Sequence, residues 1–164
     1  MKKFELTSEF VTFLGKKLFR IKALVSFGDV KEGELGGLVE KEENLDQSGN
    51  AWVSGNAWVY GNAWVSGDAL VYGDARVSGD ARVYGDARVQ NCRDYSATSC
   101  FGSENRTTTF FRTKDGGISV RCGCFYGTLN EFREKVKERH GDSRLAKEYL
   151  MLADLMEFRL SKDE

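Results

Sequence analysis

Ala51-Trp52-Val53-Ser54-Gly55-Asn56 opens a run of seven hexads in frame on one phrase, Ala-x-Val-(Ser/Tyr)-Gly-(Asn/Asp), six of them complete and the seventh, from Ala87, keeping only its alanine and valine. Alanine falls at 51, 57, 63, 69, 75, 81 and 87, and valine two residues later at 53, 59, 65, 71, 77, 83 and 89. Such a period holds no constant face on a helix of about 3.6 residues per turn. It suits a β-solenoid, in which each hexad is one short strand and one corner. Valine is β-branched and packs inward from the strand, and the alanine four positions later is small enough for the corner. Gly-Asn and Gly-Asp supply the turn, where positive φ and a short polar side chain are both at home.

The residues flanking each valine point away from the coil axis and carry the variation. Before valine stand Trp52, Trp58, Trp64, Leu70, Arg76, Arg82 and Arg88; after it stand Ser54, Tyr60, Ser66, Tyr72, Ser78, Tyr84 and Gln90. With three hexads per coil, residues 18 apart stack, so Trp52 lies below Leu70 and Arg88. The alternation of Ser and Tyr also permits a two-sided coil of two hexads, with Tyr on Tyr. Outward aromatics in this number need a cover, because a soluble monomer rarely exposes a large contiguous apolar patch. Trp52, Trp58, Trp64 and Leu70 are therefore expected to be buried by self-association or by the C-terminal residues.

Seven consecutive units of this pattern resemble the hexapeptide-repeat proteins, and Phe27-Gly28-Asp29-Val30 through Leu35-Gly36-Gly37-Leu38-Val39 to Asn44-Leu45 is similar to the first coil of enteric and phage members. The resemblance favours three-sided coils. It implies a mainly β fold, a short left-handed parallel β-helix of about three to four coils, and assembly as a homotrimer or a multiple of three.

Around the repeat, residues 1–26 read as an N-terminal strand or hairpin cap and residues 27–100 as the β-helix. Residues 101–164 read as a ββαα module. Thr107–Arg112 and Ile118–Cys122 form a hairpin around the turn Lys114-Asp115-Gly116-Gly117. Thr128-Leu129-Asn130-Glu131 is a capping box for a helix that Gly141 ends. Asp142 or Ser143 caps a second helix, where Leu145, Tyr149, Leu152, Leu155, Met156 and Arg159 recur at helical spacing.

A hydrophobic share of 41% permits a real core, and a net charge of −1 argues against a surface built throughout for long nucleic acid. The start, Met1-Lys2-Lys3-Phe4, lacks the apolar stretch of a signal peptide, and no run is long and apolar enough to span a membrane. Four cysteines without an export signal point to reduced thiols and a bacterial cytoplasm.

Hexapeptide acyltransferases, as the resemblance has it, use a histidine base, and the related carbonic anhydrases hold metal with three. This chain has one histidine, His140, outside the repeat at a helix end. Cys122 and Cys124 lie on one side of a strand with no second close pair, poor spacing for zinc. No metal, cofactor or catalytic residue is expected, and the chain reads as a non-enzyme.

Arginine offers a forked donor for phosphate, and tyrosine a stacking surface with a polar tip. Arg76, Arg82 and Arg88 with Tyr60, Tyr72 and Tyr84, and Arg112 and Arg121 on the C-terminal hairpin, are thus candidates to bind a small anionic nucleotide. The expected function is an oligomeric binding protein, of the kind a phage would use as a sponge for nucleotide immune signals. A structural or protein-interaction module is the alternative, and a degenerate acyltransferase the third reading.

Overall fold

The computed structural model describes residues 1–102 and 106–161. Two strands, β1 (Phe4–Phe13) and β2 (Lys16–Ala23), form an antiparallel hairpin. Next come β3 (Leu35–Val39) and a 3-10 turn at Glu42–Asn44. Seven two-residue strands then mark the repeat: β4 (Trp52–Val53), β5 (Trp58–Val59), β6 (Trp64–Val65), β7 (Leu70–Val71), β8 (Arg76–Val77), β9 (Arg82–Val83) and β10 (Arg88–Val89). Four longer strands follow, β11 (Tyr95–Phe101), β12 (Arg106–Arg112), β13 (Ile118–Cys122) and β14 (Phe125–Thr128), and then α1 (Leu129–His140) and α2 (Arg144–Leu160).

The strand register decides between the two coil lengths. Trp52 pairs in parallel with Leu70 and Leu70 with Arg88, while Trp58 pairs with Arg76 and Trp64 with Arg82. Each partner is three hexads away, so the coil is three-sided. Its faces are the stacks β4-β7-β10, β5-β8 and β6-β9. The seven repeat valines are all fully buried, and the seven alanines at the corners are 0–1% exposed. The opening coil is longer, since Leu38 lies opposite Trp58.

Beyond the strand pairs, further backbone bonds run from coil to coil. Trp52, Ser54 and Asn56 donate their N–H groups to the carbonyls of Ala69, Val71 and Gly73 in the next coil. The first and last full coils each lack one such neighbour, so their buried backbone groups must be paired by other means. The opening coil meets part of this need for the first, with Leu38 and Glu40 donating to Ala57 and Val59 and Asp46 to Val65. Side chains complete it. Asn44, fully buried, donates through Nδ2 to the carbonyls of Gly61 (3.2 Å) and Ala63 (2.9 Å). Lys3, only 4% exposed, donates through Nζ to the carbonyls of Ala51 (2.8 Å), Ser48 (3.3 Å) and Gly49 (3.4 Å).

The aromatic cover differs from the one expected. The N-terminal hairpin extends one face of the solenoid, in the order β1-β2-β3-β5-β8. Phe4 and Phe27 meet the Trp52 ring edge-on at 6.4 and 5.3 Å, leaving it 2% exposed. Phe13 packs on Trp58 at 5.1 Å and on Tyr60 at 5.8 Å. These contacts lie within one chain, so Trp52 has no surface left for a subunit contact. Trp64 and Leu70 remain half-buried.

The C-terminal part is also larger than a ββαα module. β11 and β14 flank the hairpin to make a four-stranded antiparallel sheet, β11-β12-β13-β14. One side of β12 carries Phe111 into the solenoid core, and the other carries Phe110 into a second core with Val120, Phe132, Tyr149 and Met156. Thr128 and Glu131 form the capping box of α1, Gly141 closes it at φ 58°, and Ser143 caps α2. Leu155 belongs to no core: with Met151 and Phe158 it lies exposed along α2. None of the described helices is long and apolar enough to cross a membrane.

Two outcomes test the sealing of the first coil. Asn44→Ala should lower unfolding free energy by about 2–3 kcal/mol in urea titrations, because it strands buried carbonyls; Asn44→Asp, which keeps the acceptor and loses the donors, should do no better. Burial lowers the Lys3 pKa from 10.5 to about 8, with Asp46 acting weakly the other way. Folding penalises the ammonium below pH 8, and the folded state sheds the proton before the unfolded chain does. Stability from this group should rise between about pH 8 and 10.5, and Lys3→Met should remove that rise from the pH profile of unfolding.

Candidate functional site

The C-terminal sheet closes the far end of the solenoid, and the closure builds a groove. Thr109 Oγ1 on β12 accepts the backbone N–H of Arg82 at 2.9 Å, and Asp94 Oδ2 accepts those of Gln90 and Asn91 at 2.8 and 3.1 Å. Tyr95 Oη donates to the Arg76 carbonyl at 2.7 Å, and Lys114 N–H to that of Asp86 at 2.9 Å. These bonds set β12 against the end of the β6-β9 face, at β9. The antiparallel register then puts Thr109 opposite Arg121.

Between the coil face and the sheet end lies a groove of 380 Å³ lined by Asn62, Asp80, Arg82, Arg106, Thr107, Arg121 and Gly123. It runs into a second hollow of 310 Å³, which shares Asn62 and Arg82 and adds Lys41, Glu43 and Trp64. Among the described residues, Lys41, Arg82 and Arg121 face Asp80 and Glu43 there, and the groove favours an anion.

Two of the cations lie over aromatic rings. The Arg82 guanidinium lies 5.4 Å over Trp64, one coil below, and the Arg121 guanidinium lies 4.8 Å over Tyr84. The attraction of a cation to the ring face holds each guanidinium in place without using up its N–H donors. Neither arginine has an ion pair among the described residues. Arg121 spends one N–H on the Gly123 carbonyl at 3.2 Å. Asn62 bridges the floor, accepting from Lys41 Nζ and donating to Asp80 Oδ1, both at 3.3 Å.

The eight residues proposed from sequence therefore separate. Arg82, Arg121 and Tyr84 meet at the groove. Arg76 stacks 4.0 Å over Trp58 on another face, where Phe13 also covers it. Arg88 turns its Nη1 onto the carbonyls of Asp68, Asp86 and Ala87. Arg112 ties α2 to the sheet, donating to the Leu160 and Ser161 carbonyls and pairing with Asp94 at 3.3 Å. Tyr60 packs under Phe13, and Tyr72 is half-buried on the β7 face.

Lys41, Asn62, Arg106 and Thr107 escaped the sequence reading. Lys41 sits in the irregular opening coil and Asn62 in an ordinary turn slot, so neither stands out; Arg106 has no local pattern at all. A larger cavity of 700 Å³ lies between the Lys114–Gly117 turn and the helices. Among the described residues, Asp86, Asp115, Glu131 and Glu157 line it with no lysine or arginine, so they repel anions.

Residues 51–67, 63–79 and 81–92 match the model of a family described as the YdcK beta solenoid repeat. The chain carries a β-solenoid repeat. No curated protein matches the chain.

The junction also separates glycines that are equivalent in the repeat. Gly79 and Gly85 both sit at positive φ, 66° and 64°. A Cβ at Gly79 would meet open space, whereas one at Gly85 would fall on the Tyr126 hydroxyl. Gly79→Ala should cost about 1 kcal/mol from backbone strain alone. Gly85→Ala should cost more, and a double-mutant cycle with Tyr126→Ala, read by urea unfolding, should recover the excess.

Proposed function

We propose that this chain is a non-catalytic binding protein that holds a small phosphate-bearing anion of the nucleotide class in the groove between solenoid and C-terminal sheet. The observation that carries this reading is the pair of guanidiniums, Arg82 over Trp64 and Arg121 over Tyr84, along one groove with no carboxylate partner among the described residues. Phosphate takes forked donors, and a base takes the flat faces beside them. On this reading the coil winds left-handed and the chain works as a homotrimer in a bacterial cytoplasm, with Trp64 and Leu70 as the uncovered part of the aromatic belt. A phage-encoded sponge for cyclic oligonucleotide or cyclic ADP-ribose signals is the role that needs this and no turnover.

One observation favours the rival reading of a protein-interaction module. Met151, Leu155 and Phe158, 72%, 56% and 85% exposed, form an apolar stripe along α2.

Thermal shift and calorimetry against cyclic di- and trinucleotides, cyclic ADP-ribose isomers and acyl-CoA separate these readings. A ligand at a hundred times its dissociation constant should stabilise the fold by about 2.7 kcal/mol. Arg82→Ala and Arg121→Ala should each weaken nucleotide binding about tenfold or more, since a charge-assisted hydrogen bond contributes about 1.5–3 kcal/mol. Arg88→Ala should leave affinity unchanged. Ligand recovered intact after heat release supports binding without turnover. Silence from every nucleotide, or affinity indifferent to Arg82 and Arg121, would overturn the proposal.

A further inference from the structure

The opposite side of the C-terminal sheet, facing the helices, holds a pocket of 440 Å³ that is chemically distinct from the groove. Its floor is aromatic. Phe132, 3% exposed, meets Phe125 and Tyr149 at 5.8 Å each, and the His140 ring stacks on Tyr149 at 5.7 Å with 24° between planes. Lys135 and Arg139, one turn apart on α1, line it together with Arg106 from β12. Among the described residues, no aspartate or glutamate lines it.

The helix dipole accounts for some of this charge, because cations are favoured at a helix C-terminus. It does not account for how the basic side chains of α1 are divided. Arg133 is bound by Asp154 and Glu157 at 2.8 and 2.6 Å on the surface toward α2. Lys135 has only a distant contact to Glu138, at 3.9 Å, and Arg139 has no ion pair among the described residues. A concave aromatic floor ringed by convergent cations, within the usual size of small-molecule sites, is built for a ligand with an apolar plane and an acid group.

We propose that this pocket binds a flat aromatic anion, its ring against Phe125, Phe132 and Tyr149 and its acid group on Lys135 and Arg139. The site stands apart from the nucleotide groove, with Arg106 the one residue common to both linings. Cys124, exposed at the rim, reports occupancy through its thiol.

The probe is 8-anilinonaphthalene-1-sulfonate, an anion with a flat naphthalene ring, with the uncharged N-phenyl-1-naphthylamine as control. Saturable binding at one site per chain is expected, with slowed alkylation of Cys124 in a protein whose other cysteines are replaced by serine. The double variant Lys135→Ala/Arg139→Ala should bind at least tenfold more weakly, while Arg82→Ala/Arg121→Ala should bind as the parent does. Val136→Trp, which fills the pocket from α1, should abolish binding with an unchanged circular dichroism spectrum; if it fails to fold, protection of Cys124 in the parent decides. Displacement by indole-3-acetate supports a carboxylate ligand, and displacement by adenosine monophosphate a phosphate one. The proposal is overturned if the neutral control binds equally well, if Cys124 is not protected, or if neither acid displaces the probe.

Discussion

Each coil of this solenoid is sealed by the next, through parallel strand pairs and through corner N–H groups that bind carbonyls three hexads later. A repeat of identical hexads solves its own interior but cannot solve its ends. Backbone donors and acceptors are left without a coil to pair with at both ends, and buried ones must find partners elsewhere. What lies outside the repeat answers that need. At the first coil Lys3 Nζ, Asn44 Nδ2 and the backbone of an irregular opening coil donate, and Glu40 Oε2 accepts the Gly61 N–H. At the last coil Thr109 Oγ1 and Asp94 Oδ2 accept, and Tyr95 Oη and the Lys114 N–H donate.

The candidate chemistry grows from the second of these closures. Thr109 can reach the Arg82 backbone only if β12 lies against the end of the β6-β9 face, at β9. That placement carries Arg121, on the neighbouring strand, over Tyr84. A groove results because a flat sheet end meets a triangular coil and cannot follow its corner. The side chain of Arg82 is positioned separately, by the tryptophan one coil below it. Scaffold and site are thus made by the same contacts, and the arginines elsewhere on the coil, Arg76 and Arg88, are spent on cover and on carbonyls.

Much of the solenoid was legible in the residues because every hexad has copies of itself as neighbours. Inward valine, corner alanine and the turn glycines depend on local geometry plus an identical coil above and below, so reading one unit reads them all. The capping boxes of the C-terminal helices were legible for the same reason: Thr128 and Glu131 act within one turn. The cover of the tryptophans was not. It depends on Phe4 and Phe13, far off in sequence, and the β-pattern of residues 4–23 says that a hairpin exists without saying which face it lies on. Of the groove, Arg82, Tyr84 and Arg121 were singled out by residue chemistry, whereas Lys41, Asn62, Arg106 and Thr107 acquire meaning only from what faces them. Leu155 shows the converse: it has helical spacing and stays exposed, since α2 has more apolar positions than the sheet and α1 can cover.

The sequence by itself determined the six-residue rhythm, the inward and corner residues, and the exchange of tryptophan for arginine along the outward slot. These follow from steric rules that act over a few bonds. The tertiary structure alone decided how the ends were sealed, which aromatics were covered, and which three of eight candidate residues share a groove. Gly79 and Gly85 mark the boundary between the two kinds of information. They are the same residue in the same phrase at nearly the same φ, and only the arrival of Tyr126 from a distant strand makes one of them irreplaceable for space as well as for backbone.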